Sequence, residues 1–345
     1  MAAVASAALL ASCETPVEPP PPPPPVVAAP PPPITLNQGV ADAAAVYVTF
    51  IREVSSIKGG FPDAESIQTA MQRGASYQAG QVSRGLIAYA SILALQSPEF
   101  VAGLRTYAAD PASRQQIINA IMTDPGYAAA LPGADAAAGL ITTTLGRDTA
   151  MLTAIAEAVE GDAYTIQERN DPRRRWAITP IPNREIRLER AKTLSNGAML
   201  PSAEESARLF TAAHSGSGLG VSGGKAAAPY TPVIARALSI AALAALGAAG
   251  EDQRSNTDIL INDPGNQFCF DLSKLNLFQC LAASRPSYED MFCIGRHIVR
   301  DLATCATAAV GPPPAITVVP PPAITPAPGL ASTTAGLNAA PPGAR

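Results

Sequence analysis

Apolar positions recur at helical spacing through most of this chain. In residues 41–58, Val46, Phe50, Ile51, Val54 and Ile57 fall on one stripe while Arg52, Glu53 and Ser56 fall off it, which predicts an amphipathic helix. A second long segment, residues 63–96, repeats Val82, Leu86, Tyr89 and Leu93 at steps of four, three and four. Gly74, Gly80 and Gly85 within it predict either breaks or a face where another helix backbone comes close. Ser97-Pro98, Asp110-Pro111 and Asp124-Pro125 each set a capping side chain before a Pro at the first helical position, where a missing N–H costs nothing. Three helices in series are expected from those points. Further helices are expected over 134–145, 148–169, 202–214 and 231–249. The alternation that strands need is scarce, with residues 176–186 reading as a short strand pair. The predicted fold is all-α, an irregular multi-helix bundle. The capped starts lie thirteen to fourteen residues apart, too close for the roughly 34-residue helix pairs of a solenoid.

Composition changes the picture at both ends. Residues 16–33 are almost all Pro, and residues 311–345 mix Pro, Ala, Gly, Thr and Ser, so neither segment can supply a core and both read as disordered tails. Eighteen residues of extended polyproline at ~3.1 Å each make a semi-rigid spacer of about 55 Å. Net charge is only −4, so no global field recruits nucleic acid. The longest apolar run, residues 237–250, is mostly Ala and too short to span ~30 Å of hydrocarbon; a buried core helix is expected there.

Of five cysteines, Cys13 stands apart and Cys269, Cys280, Cys293 and Cys305 cluster near the C-terminal end. Between the two inner ones, Ser284-Arg285-Pro286-Ser287 reads as a helix stop with Ser287 as the next N-cap. Residues 271–283 and 288–307 therefore read as an antiparallel hairpin. Positions facing one another across such a turn have a constant sum, and Cys280 with Cys293 and Cys269 with Cys305 satisfy this to within one. Pairing Cys293 with Cys305 fails on distance, because twelve helical residues put them about 18 Å apart where a disulfide needs ~7 Å. Eleven residues return to the same helix face and twelve overshoot by about 100°, so one end must be irregular. The layout resembles twin-Cys helical hairpins, an architectural likeness that implies no activity. Close C-x-x-C pairs are missing and His297 is the one soft ligand added, so no metal is expected.

Leu10-Ala11-Ser12-Cys13 resembles the signal of bacterial lipoproteins: a branched apolar residue, two small residues and the modified Cys. The likeness covers those four positions; the preceding residues carry no Lys or Arg, where an export signal has a basic start. It implies cleavage before Cys13, acylation of its thiol (palmitate-type) and of its new amino group, and a stable lipid anchor. Removing Cys13 leaves an even number of cysteines, suited to two disulfides in an oxidising periplasm. Glu14, rather than an Asp resembling an inner-membrane retention signal, points to the outer membrane. The expected organisation is a signal peptide (1–12), a lipidated Pro-rich tether (13–37), an N-terminal helical region (38–168), an Arg/Pro-rich connector (169–200), a C-terminal helical region with four cysteines (201–310) and a tail (311–345).

Candidate chemistry is sparse. Gly218, Gly220 and Gly223 spell G-x-G-x-x-G, but a helix rather than a strand precedes them, and Ala226 follows Lys225 where a phosphate loop needs Ser or Thr. A flexible surface loop is expected, and no nucleotide cofactor. His214 ends a helix, where a cation suits the dipole, and His297 sits on the hairpin surface. Glu53, Glu65, Glu157 and Glu160 lie on helices with nothing to single out a general acid. The best binding candidate is the cationic run Arg173, Arg174, Arg175, Trp176, Arg184 and Arg187, able to dock an anionic surface or partner. The expected function is an envelope structural or assembly role, through binding to an envelope protein or peptidoglycan, more a scaffold than an enzyme. The alternative is a peptidoglycan-cleaving, lysozyme-like hydrolase.

Overall fold

The computed structural model describes residues 30–169 and 172–311. Cys13, the signal-like segment and the C-terminal tail lie outside them. All fourteen α-helices come from this part: α1 (Gln38–Ser55), α2 (Ala64–Ala75), α3 (Ala79–Leu95), α4 (Pro98–Ala108), α5 (Pro111–Thr123), α6 (Ala134–Arg169), α7 (Arg175–Ile178), α8 (Arg184–Asn196), α9 (Ala203–Ser215), α10 (Pro232–Ala245), α11 (Arg254–Leu260), α12 (Pro264–Ala283), α13 (Ser287–Ile294) and α14 (Asp301–Val310). No strand occurs among the described residues, and the fold is all-α.

Helices α3 and α10 are apolar on nearly every side and form the centre. Around them pack α1, α4, α6, α9, α12 and α14, so helices from both sides of the connector share one core. Small residues set the spacing: a Cβ on Gly85 of α3 would lie 2.6 Å from the Ala43 carbonyl oxygen of α1. That glycine marks a close backbone approach. The break in residues 63–96 falls instead at 76–78, splitting one expected helix into α2 and α3.

Capping obeys the local chemistry. Asp110 accepts from the Ser113 amide at 2.8 Å and Asp263 from the Asn266 amide at 2.7 Å, each with Pro next in sequence. Asp124 also caps, but it starts a six-residue 3₁₀ turn, Pro125–Ala130, rather than an α-helix. Pro132 stops that turn within a few residues. The helices expected over 134–145 and 148–169 are one 36-residue helix, because the buried stripe Ile141, Leu145, Leu152, Ala156, Val159 runs unbroken past Gly146. Among the described residues no single helix is long and apolar enough to cross a membrane.

Two other expectations change. Residues 34–37, assigned to the tether, belong to the body: Ile34 and Leu36 are buried, and the Thr35 and Asn37 amides donate to the Ala244 and Ala249 carbonyls. The glycine-rich loop lies at the surface, with Gly218, Gly220 and residues 222–225 exposed, but its end is pinned against α6. Its Gly224 carbonyl lies against Gly139 of α6 so closely that a Cβ there would sit 1.7 Å away, and Lys225 pairs with Glu99 at 2.7 Å. Gly223 and Gly224 let the loop backbone touch that of α6, while Gly218 and Gly220 face open space.

The C-terminal hairpin carries nested disulfides, Cys280–Cys293 near the turn and Cys269–Cys305 at the open end, each with Cα atoms 5.7 Å apart. Its first limb begins at Pro264, so Cys269 lies inside a helix, and Pro286, not Ser287, occupies the cap position of the second limb. That limb contains a π-helical segment, Gly295–Arg300. A π turn takes one more residue than an α turn, so it absorbs the twelfth residue between Cys293 and Cys305 and returns both to one face. Closing loops of these lengths restricts the unfolded chain by about 3 to 4 kcal/mol per bond, the outer loop being shortened by the inner. Replacing Cys269 and Cys305 together by Ser is expected to lower urea-unfolding stability by about 3 kcal/mol, with a similar loss for Cys280 and Cys293.

Candidate functional site

A cavity of about 580 Å³ opens between α2 and α8, a volume suited to a small organic ligand or a few residues of peptide. Helix α2 contributes Glu65, Gln68, Thr69 and Gln72; α8 and the residue before it contribute Asn183, Ile186, Arg187 and Arg190. Both sets step by three, one and three residues, which places each on one helix face. Met71 and Ile181 supply buried apolar surface.

What holds α8 there is a buried polar cluster. Arg187 Nη1 donates to Asp290 Oδ1 at 2.5 Å, and Nη2 donates to the Leu281 carbonyl at 2.7 Å. The Ser284 hydroxyl donates to Asp290 Oδ1 at 2.7 Å and Gln68 Nε2 to Oδ2 at 3.0 Å. The Arg187 and Asp290 side chains are 4% and 0% exposed. Burial lifts the Asp290 carboxyl above its ordinary value, against the opposing pull of Arg187, Ser284 and Gln68. α2, α8, α12 and α13 meet at this point.

The cationic run is thereby taken apart. Arg187 is buried in an ion pair and presents no surface for an anion. Arg174 pairs with Asp162, and Arg184 donates to the Ala282 carbonyl at 2.7 Å. Trp176 packs partly buried against the core, and Arg175 is exposed; the Arg173 side chain lies outside the described part of the molecule. No strand pair forms at residues 176–186, which hold α7, a turn and the start of α8. A single bridge joins Pro180 to Pro286, and proline cannot donate to extend a ladder.

Asn183, just ahead of α8, has φ of 54°, the one positive value outside glycine among the described residues. Asn tolerates that region, yet its side chain makes no capping bond. Glu65, Gln72 and Arg190 likewise make no side-chain hydrogen bond or ion pair among the described residues, unlike Glu160, which Arg300 Nε meets at 2.7 Å. Glu157 lies at 4.0 Å from Arg300 and Glu53 is exposed. His214 Nε2 lies 3.4 Å from the Leu36 amide and Nδ1 2.9 Å from the Phe210 carbonyl, tying the end of α9 to the segment ahead of α1. His297 Nδ1 sits 3.0 Å from Asp301.

Nothing in the sequence singles out Asp148. It is partly buried on α6 near Tyr47 and Tyr89, and burial pushes its carboxyl from 3.8 up to about 6. The same burial, with Asp148 adding to it, pushes the Tyr89 hydroxyl up to about 12. Asp148 is not among the residues lining the α2/α8 cavity. No cluster of metal-binding side chains occurs among the described residues. Comparison with protein-family models, curated proteins and solved structures returned no match.

Truncating Arg187 to Ala strands a buried carboxylate, so urea unfolding is expected to show a loss of about 3 to 5 kcal/mol, much of it recovered when Asp290→Leu is added. Asp148 binds its proton more tightly folded than unfolded. The stability this contributes is present below about pH 4 and lost as pH rises through about 6. Asp148→Asn should therefore stabilise the protein by about 1 to 2 kcal/mol at pH 8, after allowing for solvent screening, and by almost nothing at pH 4, read from melts at the two pH values.

Proposed function

We propose that this chain is an exported bacterial lipoprotein, held by acylated Cys13 on the periplasmic face of the outer membrane, whose helical body serves envelope assembly or structure by binding. The observation that carries the reading is the pair of nested disulfides, since such bonds persist in oxidising compartments and are rare where thiols are kept reduced. The lipoprotein-like Leu10-Ala11-Ser12-Cys13 and the Pro-rich stretch behind it supply an anchor and a spacer. The α2/α8 cavity gives the body a place to bind a partner, whether an envelope protein or peptidoglycan; a net charge of −4 supplies no overall attraction for nucleic acid.

One observation favours the second reading, a peptidoglycan-cleaving hydrolase: the raised carboxyl of Asp148. Glycoside cleavage uses two carboxyl groups flanking one sugar site, about 5 to 9.5 Å apart. Glu65 is the single carboxylate lining the α2/α8 cavity, and Asp148 is not beside it. Binding is the stronger reading.

Metabolic palmitate labelling in a bacterial host should mark the wild-type chain and not Cys13→Ala; labelling that survives the substitution removes the anchor. Purified peptidoglycan incubated with the full chain should stay insoluble. Release of soluble muropeptides would end the non-enzymatic reading.

A further inference from the structure

We infer that the α2/α8 cavity binds a short peptide with free amino and carboxyl termini, an assignment that rests on the body being a binding module. Arg187 is spent on Asp290, which leaves the cavity one charge of each sign, Glu65 from α2 and Arg190 from α8, neither ion-paired among the described residues. A zwitterion satisfies both at once. A polyanion would meet Glu65, a polycation would meet Arg190, and a neutral sugar would leave both charges unmatched.

The remaining lining fits a peptide rather than a simple salt of an amino acid. Gln72 and Asn183 each offer an amide donor and an acceptor, the complement of a peptide group, and neither side chain is engaged elsewhere among the described residues. Gln68 spends its amide nitrogen on Asp290, leaving its carbonyl oxygen as a further acceptor. Glu65 to Gln72 spans two helical turns, about 10 Å, which matches the length of a tripeptide at ~3.3 Å per residue. Met71, Ile181 and Ile186 give a central side chain an apolar seat. Asn183 holds a backbone conformation that most residues avoid, at a position where its side chain caps nothing. The buried Arg187–Asp290 pair fixes the two walls beforehand, so little ordering cost remains for the ligand.

The probe is Ala-Leu-Ala with free termini, titrated into the full chain by calorimetry and by NMR of side-chain amides. Binding should move the Gln72 and Asn183 amide signals. Acetylating and amidating the two ends should weaken it about tenfold, and Glu65→Gln or Arg190→Gln should each weaken it about three- to fivefold, the range of an exposed ion pair. Both side chains are exposed and make no ion pair among the described residues, so unchanged melting of the variants isolates the effect to binding. Equal affinity for the blocked peptide overturns the assignment. So does no binding up to about 10 mM, or a trimer of N-acetylglucosamine moving the same signals in the peptide's place. Any of these results leaves the palmitate test of the anchor untouched, so the two readings fail separately.

Discussion

Two helices tied together at two points must present their cysteines in the same phase twice, and here the residue counts do not agree. One limb steps eleven positions from cysteine to cysteine and the other twelve. The π segment at 295–300 removes the difference. Once the limbs are locked in register, Leu281, Ser284 and Asp290 stand at fixed positions around the turn, and a single arginine can satisfy acceptors on both limbs. A buried ion pair is tolerable only with such geometry, because desolvation otherwise outweighs attraction. The phase of the hairpin therefore decides where α8 lies, and with it the cavity.

The π segment also meets other elements. Its Arg300 reaches Glu160 of α6, and the Ser273 hydroxyl donates to the His297 carbonyl. Ile298 of the segment packs where a Cβ on Gly74 of α2 would lie, 2.5 Å from its Cγ2. An irregularity that settles disulfide geometry thus seats both α2 and α6. The walls of the cavity descend from one local departure from α geometry.

Much of this was legible in the sequence where local chemistry decides it. Asp-Pro and Ser-Pro pairs fix helix starts through a side-chain oxygen and a ring that needs no acceptor, and cysteine spacing points to nested pairing through facing positions in a hairpin, with distance ruling out the sequential pairing. Helix α8 was not legible, because its buried face is Arg187, Ala191 and Ser195, a stripe that hydropathy reads as a polar connector. Nor could sequence tell Arg187 from its neighbours: its partner Asp290 is 103 residues away. The G-x-G-x-x-G spacing could be set aside as a phosphate loop, but its packing could not be foreseen, since glycine permits close approach to any surface, and here the surface is another glycine on α6. Asp148 escaped notice because a raised carboxyl depends on what other helices bring around it.

The entry of the chain into the body has a mechanical meaning. Residues 34–37 pass the C-terminal end of α10 and the turn after it, with Ile34 and Leu36 buried and the Thr35 and Asn37 amides bonded to Ala244 and Ala249. Asn37 then adds side-chain bonds to Ala249 and Thr257 before α1 begins. A pull arriving from the N-terminal side meets these contacts before it reaches the first helix. Tension would be shared among several bonds to the central helix and its neighbour, and α1 would be shielded from unravelling turn by turn.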